Sequence, residues 1–211
     1  MEIVRIIIAD DHVIFRKGLR TVLNEITFIK VVAEASNGNE LLSTLKTTKV
    51  DVIFMDIKMP GMNGIETTGK VMVKYPDTSI IALTMHEEVG YFNKMIEAGA
   101  VGFLLKKTNK DQLENAIKAV VAGNTFFAEE FIINNSLSAN TKPTLNIKIS
   151  DKEKEILVYI CKGFSNAEIA KTMGLSQRTI DGHRGRLFEK TGAKNAPNLV
   201  LFAIQNGLIK A

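Results

Sequence analysis

The first 123 residues alternate five short apolar runs with five longer segments of helical period, a pattern that few folds accept. The runs predicted as strands cover residues 5–9, 30–35, 50–55, 79–83 and 102–105. Between and after them the apolar spacing predicts helices over 14–24, 39–45, 65–74, 89–97 and 110–122, punctuated by Pro60-Gly61, Tyr75-Pro76 and Gly99. Alternation of this length requires a parallel sheet, because each crossover helix returns the chain to the same sheet edge. A run as apolar as Val52-Ile53-Phe54-Met55 must also be covered on both faces.

Five β/α pairs are about the minimum for a doubly wound sheet, for which the flavodoxin-like strand order 2-1-3-4-5 is a common arrangement. From 124 to 148 the pattern dissolves into Asn, Ser, Thr and one Pro, which predicts a linker with a short helix over 128–133. Helical periodicity then returns four times. Ser150-Asp151-Lys152-Glu153 and Ser165-Asn166-Ala167-Glu168 both fit a capping box, a third helix follows Leu175-Ser176 from 177 to about 191, and Pro197 and Gly207 bound a fourth. A short turn holding Gly174 between the second and third is the helix-turn-helix signature. The expected organisation is therefore an α/β domain over 1–123, a linker over 124–148 and a small all-α domain of four helices over 149–211.

Charge divides along the same boundary. Residues 148–211 hold 11 Lys and Arg against 6 Asp and Glu, whereas residues 1–147 hold 16 against 17. A basic module joined to a neutral one points to a polyanion partner, although a solvated lysine-rich face accounts for the excess as well. No run approaches the roughly 18 apolar residues of a membrane span, and the first residues lack the shape of a signal peptide, so a cytoplasmic protein without a membrane partner is expected. A single cysteine, Cys161, excludes an internal disulfide, and its apolar helical surroundings read as core.

In open parallel sheets, ligands bind beyond the carboxyl ends of the strands. The residues there are Asp10 and Asp11 after the first strand, Asp56 after the third, Thr84 after the fourth and Lys106 after the fifth. Crowded carboxylates repel unless a cation relieves them, and a few hard oxygen ligands suit Mg²⁺. A carboxylate beside such a cation can act as nucleophile on a phosphoryl group whose oxygens are gripped by Lys106 and Thr84. The bland readings are a helix cap for Asp10, a turn residue for Asp56 and a solvated loop lysine for Lys106. His12 and His86 read as solvent-facing and carrying no metal.

Ile8-Ala9-Asp10-Asp11-His12, the run from Val52 through Asp56 to Gly64, Ala82-Leu83-Thr84 and Gly102-Phe103-Leu104-Leu105-Lys106 together resemble the receiver domain of two-component response regulators. The resemblance implies that Asp56 accepts a phosphoryl group from a sensor histidine kinase. It further implies that Asp11, Asp56 and the backbone carbonyl of Lys58 bind Mg²⁺, with Asp10 helping through water. Thr84 and Lys106 then grip the phosphoryl group, and Phe103 occupies the switch-aromatic position; whether Phe103 switches or is plain core stays open. Met85, Lys58 and His86 flank the site, where they bear on the lifetime of an acyl phosphate.

Residues 150–209 resemble the LuxR-type helix-turn-helix through Gly163-Phe164-Ser165-Asn166-Ala167-Glu168-Ile169-Ala170, Leu175-Ser176-Gln177-Arg178-Thr179-Ile180, His183 and Gly192-Ala193-Lys194-Asn195. With Ile180 and Leu187 inward, the outer helix face carries Arg178, Asp181, Gly182, Gly185, Arg186 and Glu189. Arg178, Thr179, His183, Arg186 and Lys190 are candidates for DNA phosphates or base edges. Gly182 and Gly185 inside a helix suggest close backbone approach to DNA, and Asp181, where the family often has Lys, either accepts from a cytosine amino group or repels phosphate. By the same resemblance Leu199, Val200, Ala203 and Ile204 of the last helix form a dimerisation face, packing within the monomer being the alternative. The expected protein is a DNA-binding transcription regulator of the LuxR (NarL-like) type, not an enzyme. Phosphorylation would drive it to a homodimer on promoter DNA. The rivals are a phosphorylation-independent DNA binder with a vestigial receiver, an aspartyl-nucleophile phosphatase and a flavin-binding module. Lys58, where such a phosphatase usually carries its second acid, and the lack of a Gly-rich phosphate loop weigh against the last two.

Overall fold

The architecture comes from a computed structural model and is described for residues 2–85, 89–128 and 148–208. Most of the short helix expected over 128–133 lies outside the described residues, as do His86 and Ile209.

The chain runs β1 (Val4–Ala9), α1 (Val13–Asn24), β2 (Ile29–Ala35), α2 (Gly38–Thr44), β3 (Val52–Asp56), α3 (Gly64–Lys74), β4 (Ser79–Thr84), α4 (Val89–Ala98), β5 (Gly102–Leu105), α5 (Lys110–Val121) and β6 (Phe126–Phe127). Its helical part follows as α6 (Asp151–Cys161), α7 (Asn166–Met173), α8 (Gln177–Thr191) and α9 (Ala196–Gln205). The sheet is parallel throughout, in the order β2-β1-β3-β4-β5-β6. The expected 2-1-3-4-5 order therefore holds, with one correction: a sixth strand joins it from residues assigned to the linker. Phe126 and Phe127 pair with Gly102 and Phe103, a contact two residues long that no periodicity reveals. Val32 of β2 is an extra residue opposite the Ile6–Ile7 step of β1, a bulge at the outer strand pair.

Side-chain caps set the helix starts where the sequence places Asn and Ser. Asn37, Asn63 and Asn109 accept from the backbone of Glu40, Glu66 and Gln112, and Ser150 and Ser165 complete reciprocal capping boxes with Glu153 and Glu168. Gly174, at φ 64°, ends α7 in the left-handed conformation that permits the tight turn into α8. β3 is buried along its whole length, and α1 and α5 cover one sheet face opposite α2, α3 and α4, as both-face burial demands.

The two parts of the chain touch. α9 packs on α4 as well as on α6 and α8, and Thr125, buried just before β6, lies 3.5 Å from the Ile160 carbonyl through its hydroxyl. At the α6–α7 turn Gly163 has φ +80°, and a Cβ there would stand 2.7 Å from the Thr125 carbonyl oxygen. Leu199, Val200, Ala203 and Ile204 are all fully or almost fully buried within the chain. In this arrangement they pack within the monomer, the alternative reading for them, because α9 lies against α4, α6 and α8 and is too apolar to leave in water.

Candidate functional site

Strand register brings the site together. Ala9 pairs with Met55, Asp56 with Leu83, and Thr84 with Leu105, so Asp10, Asp56, Thr84 and Lys106 emerge side by side at the carboxyl edge. Asp10, Asp56 and Thr84 are buried there. Lys106 Nζ lies 2.6 Å from Asp10 Oδ2 and 2.8 Å from Asp56 Oδ2, and it stacks 4.8 Å above the centre of the Phe15 ring. The Lys106 backbone N–H donates to the Thr84 carbonyl at 2.8 Å, which holds the two strand ends in step.

Burial raises the Asp56 carboxyl above its ordinary value; the Lys106 hydrogen bond opposes this, and the Asp10 charge reinforces it. Asp10 is held from behind, since Arg16 donates to its backbone carbonyl at 2.5 Å and is itself braced by Glu34 at 2.8 Å. Its Oδ1 also accepts from the His12 backbone at 2.8 Å, but His12 is itself the N-cap of α1 and that helix start has no side-chain cap, so the capping reading of Asp10 is not met.

Two oxygens at the site, Asp10 Oδ2 and Asp11 Oδ1, are sealed from solvent and make no hydrogen bond of good geometry, although each has a cationic or imidazole nitrogen within 3 Å. Carboxylate oxygens without a well-formed hydrogen bond at the mouth of a buried acid cluster fit a hard divalent cation. Ligand atoms of Asp10, Asp11, His12 and Asp56 all lie within 4.8 Å of one another. The expectation of an outward His12 is corrected on this point. Its side chain is 56% exposed, but Nδ1 turns in to 2.8 Å from Asp11 and 3.8 Å from Asp56. Sequence reasoning missed this because the inward turn depends on where packing sets the Asp11 and Asp56 carboxylates. Lys58 places its ammonium 5.0 Å from the Tyr91 ring centre on α4, while its backbone N–H bonds the Asp56 carboxylate. A cleft of about 500 Å³ lined by Asp11, Lys58, Met59, Pro60, Asn63 and Tyr91 opens beside the acids.

Phe103 is fully buried behind this edge, with its ring edge-on to Phe92 of α4 at 5.1 Å; Phe92 meets Phe127 of β6 in the same manner at 5.4 Å. In this arrangement Phe103 packs as core, and Phe127 lies just after Thr125, which touches the helical part of the molecule.

On α8, Ile180 and Leu187 are buried, whereas Arg178, Thr179, Asp181, Gly182, Gly185 and Arg186 are exposed. The Thr179 hydroxyl pairs with the capping Ser176, and Arg186 lies 2.9 Å from His183 Nδ1. Asp181 Oδ1 accepts from the Asn166 side-chain amide at 2.5 Å, a contact across the helix-turn-helix that spacing alone does not reveal. Lys190 does not present a free ammonium. It bonds both oxygens of buried Glu153, at 2.7 and 2.9 Å, and the Lys148 carbonyl, which corrects its place among the DNA-facing residues.

Burial alone would raise the Glu153 carboxyl, but Lys190 and Ser150 hold it down at about 2. Its stabilising effect is complete above about pH 4.5 and is lost as pH falls toward 2, because only the unfolded chain protonates it across that interval. Glu153→Gln is expected to cost about 1–3 kcal/mol at pH 7 and to flatten the acid limb of the stability curve, read by urea unfolding. Superimposable curves for the variant and wild type would reject this role.

Residues 6–118, more than half of the chain, match the response regulator receiver domain. The chain belongs to the response regulators. Residues 148–203 of this response regulator match the bacterial regulatory proteins of the luxR family, which gives it a LuxR-type DNA-binding domain as well as a receiver. It is 36% identical over 216 residues to the oxygen regulatory protein NreC of Staphylococcus aureus, spanning 98% of this chain and 99% of NreC. Among solved structures it resembles ChrA, the response regulator of a heme-sensing two-component system, with a TM-score of 0.56, 32% identity and coverage of 99% and 100% of the two chains. It also resembles the response regulator RcsB in its complex with DNA, with a TM-score of 0.60, 28% identity and coverage of 97% and 99%. Among the described residues no helix is long and apolar enough to cross a membrane.

Proposed function

We propose that Asp56 is the phosphoacceptor of a cytoplasmic transcription regulator and that a sensor histidine kinase is its donor. The observation that carries this reading is Lys106 Nζ, held between Asp10 and Asp56 at the edge where Thr84 also emerges. The Asp56 carboxylate attacks the phosphorus of a phosphohistidine, the P–N bond breaks to release the histidine, and the Lys106 ammonium and Thr84 hydroxyl would hold the transferred oxygens. Asp11, Asp56 and the Lys58 carbonyl would hold Mg²⁺, with Asp10 acting through water; when bound, the ion offsets the charge that develops on the phosphoryl oxygens. Phe15 and the burial of Asp10 keep Lys106 directed at the site.

Phosphorylation shifts the chain from the arrangement in which α4 covers α9 toward one in which Leu199, Val200, Ala203 and Ile204 serve a homodimer. The dimer sets two α8 helices on promoter half-sites about one DNA turn apart, with Arg178, Thr179, His183 and Arg186 facing phosphates or bases. Treating the protein with Mg²⁺ and a small-molecule phosphodonor is expected to add one phosphoryl mass to wild type and none to Asp56→Asn. Light scattering is then expected to move toward the dimer, and promoter binding to tighten. Should Asp56→Asn bind DNA as tightly as treated wild type, the switch is refuted and only the DNA binding survives.

A further inference from the structure

The outer face of α8 carries an acid where a polyanion is expected to dock, with two glycines beside it. Building a Cβ at Gly182 or Gly185 meets nothing within 4 Å, so no neighbour in the protein requires glycine at either place. Glycine inside a helix is nonetheless costly relative to alanine. Asp181 precedes Gly182 directly and Gly185 by one helical turn, so the three form a continuous low-profile patch, bracketed by exposed Arg178 and Arg186. The Asp181 carboxylate is held in place: Oδ1 is bonded to Asn166 at the first turn of α7, and among the described residues no hydrogen bond is seen to its other oxygen.

We propose that Asp181 reads a cytosine amino group in the major groove, and that Gly182 and Gly185 let the helix backbone sit close enough for so short a side chain to reach it. A carboxylate only accepts hydrogen bonds. Cytosine offers a donor to the major groove without an acceptor on the same base, adenine sets an acceptor beside its donor, and guanine and thymine show acceptors. The two arginines anchor the phosphates on either side of the patch, and the Asn166 bond removes the side-chain freedom that ordering Asp181 on DNA would otherwise cost. The inference rests on the DNA-binding reading above and names the base that reading leaves open.

Enrichment of random DNA duplexes by the full-length, phosphodonor-treated chain tests it. Wild type is expected to select a C·G pair at one position of each half-site. Asp181→Ala is expected to lose about tenfold preference at that position while keeping the rest of the motif. Gly185→Ala fills open space, so its thermal midpoint is expected to rise while its affinity for the wild-type motif falls by about tenfold. A stabilised variant that binds more weakly is a result that a purely structural glycine does not produce. An unchanged motif for Asp181→Ala, a uniform gain in affinity for every sequence, or wild-type affinity for Gly185→Ala would each overturn the proposal; the second would identify phosphate repulsion instead. If wild type enriches no motif at all, the DNA-binding reading fails and this inference falls with it.

Discussion

Lys106→Ala is expected to destabilise the receiver by about 3–5 kcal/mol at neutral pH, because it leaves two buried carboxylates without their shared cation. Asp10 and Asp56 are almost wholly out of water, and Lys106 is the ammonium lying between them. In wild type the Asp56 carboxyl is already raised, first by burial and then by the Asp10 charge. Its folded form therefore binds a proton more readily than the unfolded chain, and ionising it costs stability as pH rises above the ordinary carboxylate value. Without Lys106 that cost grows. The deficit of the variant is expected to shrink as pH is lowered from 7 to 5, and to shrink at pH 7 when millimolar Mg²⁺ is added, since the proposed ion replaces the missing charge. Urea unfolding at both pH values, with and without Mg²⁺, reads all three effects. Wild-type stability for the variant at pH 7 without Mg²⁺ would show that the pocket does not depend on Lys106 for its charge balance.

Gly64→Ala is expected to cost roughly 3 kcal/mol, at the upper end of overpacking penalties, and to stop phosphoryl transfer to Asp56. Gly64 opens α3, and its N–H donates to the Ile57 carbonyl at 2.9 Å, so the helix start is pressed against the strand end that carries Asp56. A Cβ there would fall well inside van der Waals contact of the Asp56 carbonyl oxygen and 2.9 Å from the Asp56 carbonyl carbon and the Ile57 Cα. These are backbone atoms of a buried strand and cannot rotate aside. Relief requires the loop from Asp56 to Asn63 to move, and with it the Lys58 carbonyl and the backbone N–H that bonds Asp56. Gly69, further along the same helix, meets nothing within 4 Å of a built Cβ, so Gly69→Ala serves as the control and is expected to stabilise slightly. Equal unfolding midpoints and equal phosphoryl uptake in the two variants would remove the steric account.

Most of the candidate site was legible because it obeys a topological rule. Residues that end parallel strands meet at one edge, so Asp10, Asp56, Thr84 and Lys106 could be grouped although Asp56 and Lys106 are 50 positions apart. The capping boxes at Ser150 and Ser165 were legible for a different reason, since each closes within three residues. His12 and Lys190 were misread. Each carries an ordinary surface or interface signature, and what decides its role is a partner that no local spacing indicates.

The sequence by itself determined the parallel sheet, its carboxyl-edge acids, the helix starts and the helix-turn-helix, since all of these follow from short-range periodicity, caps and strand order. Only the tertiary structure decided that β6 extends the sheet, that His12 turns toward Asp11, that Glu153 takes Lys190 from 37 residues away, that Asn166 fixes Asp181 and that α4 covers α9. The physical reason is common to these five. A hydrogen-bond donor, an acid or an apolar face states what it needs but not which neighbour satisfies it, and burial makes that choice only after the elements have packed.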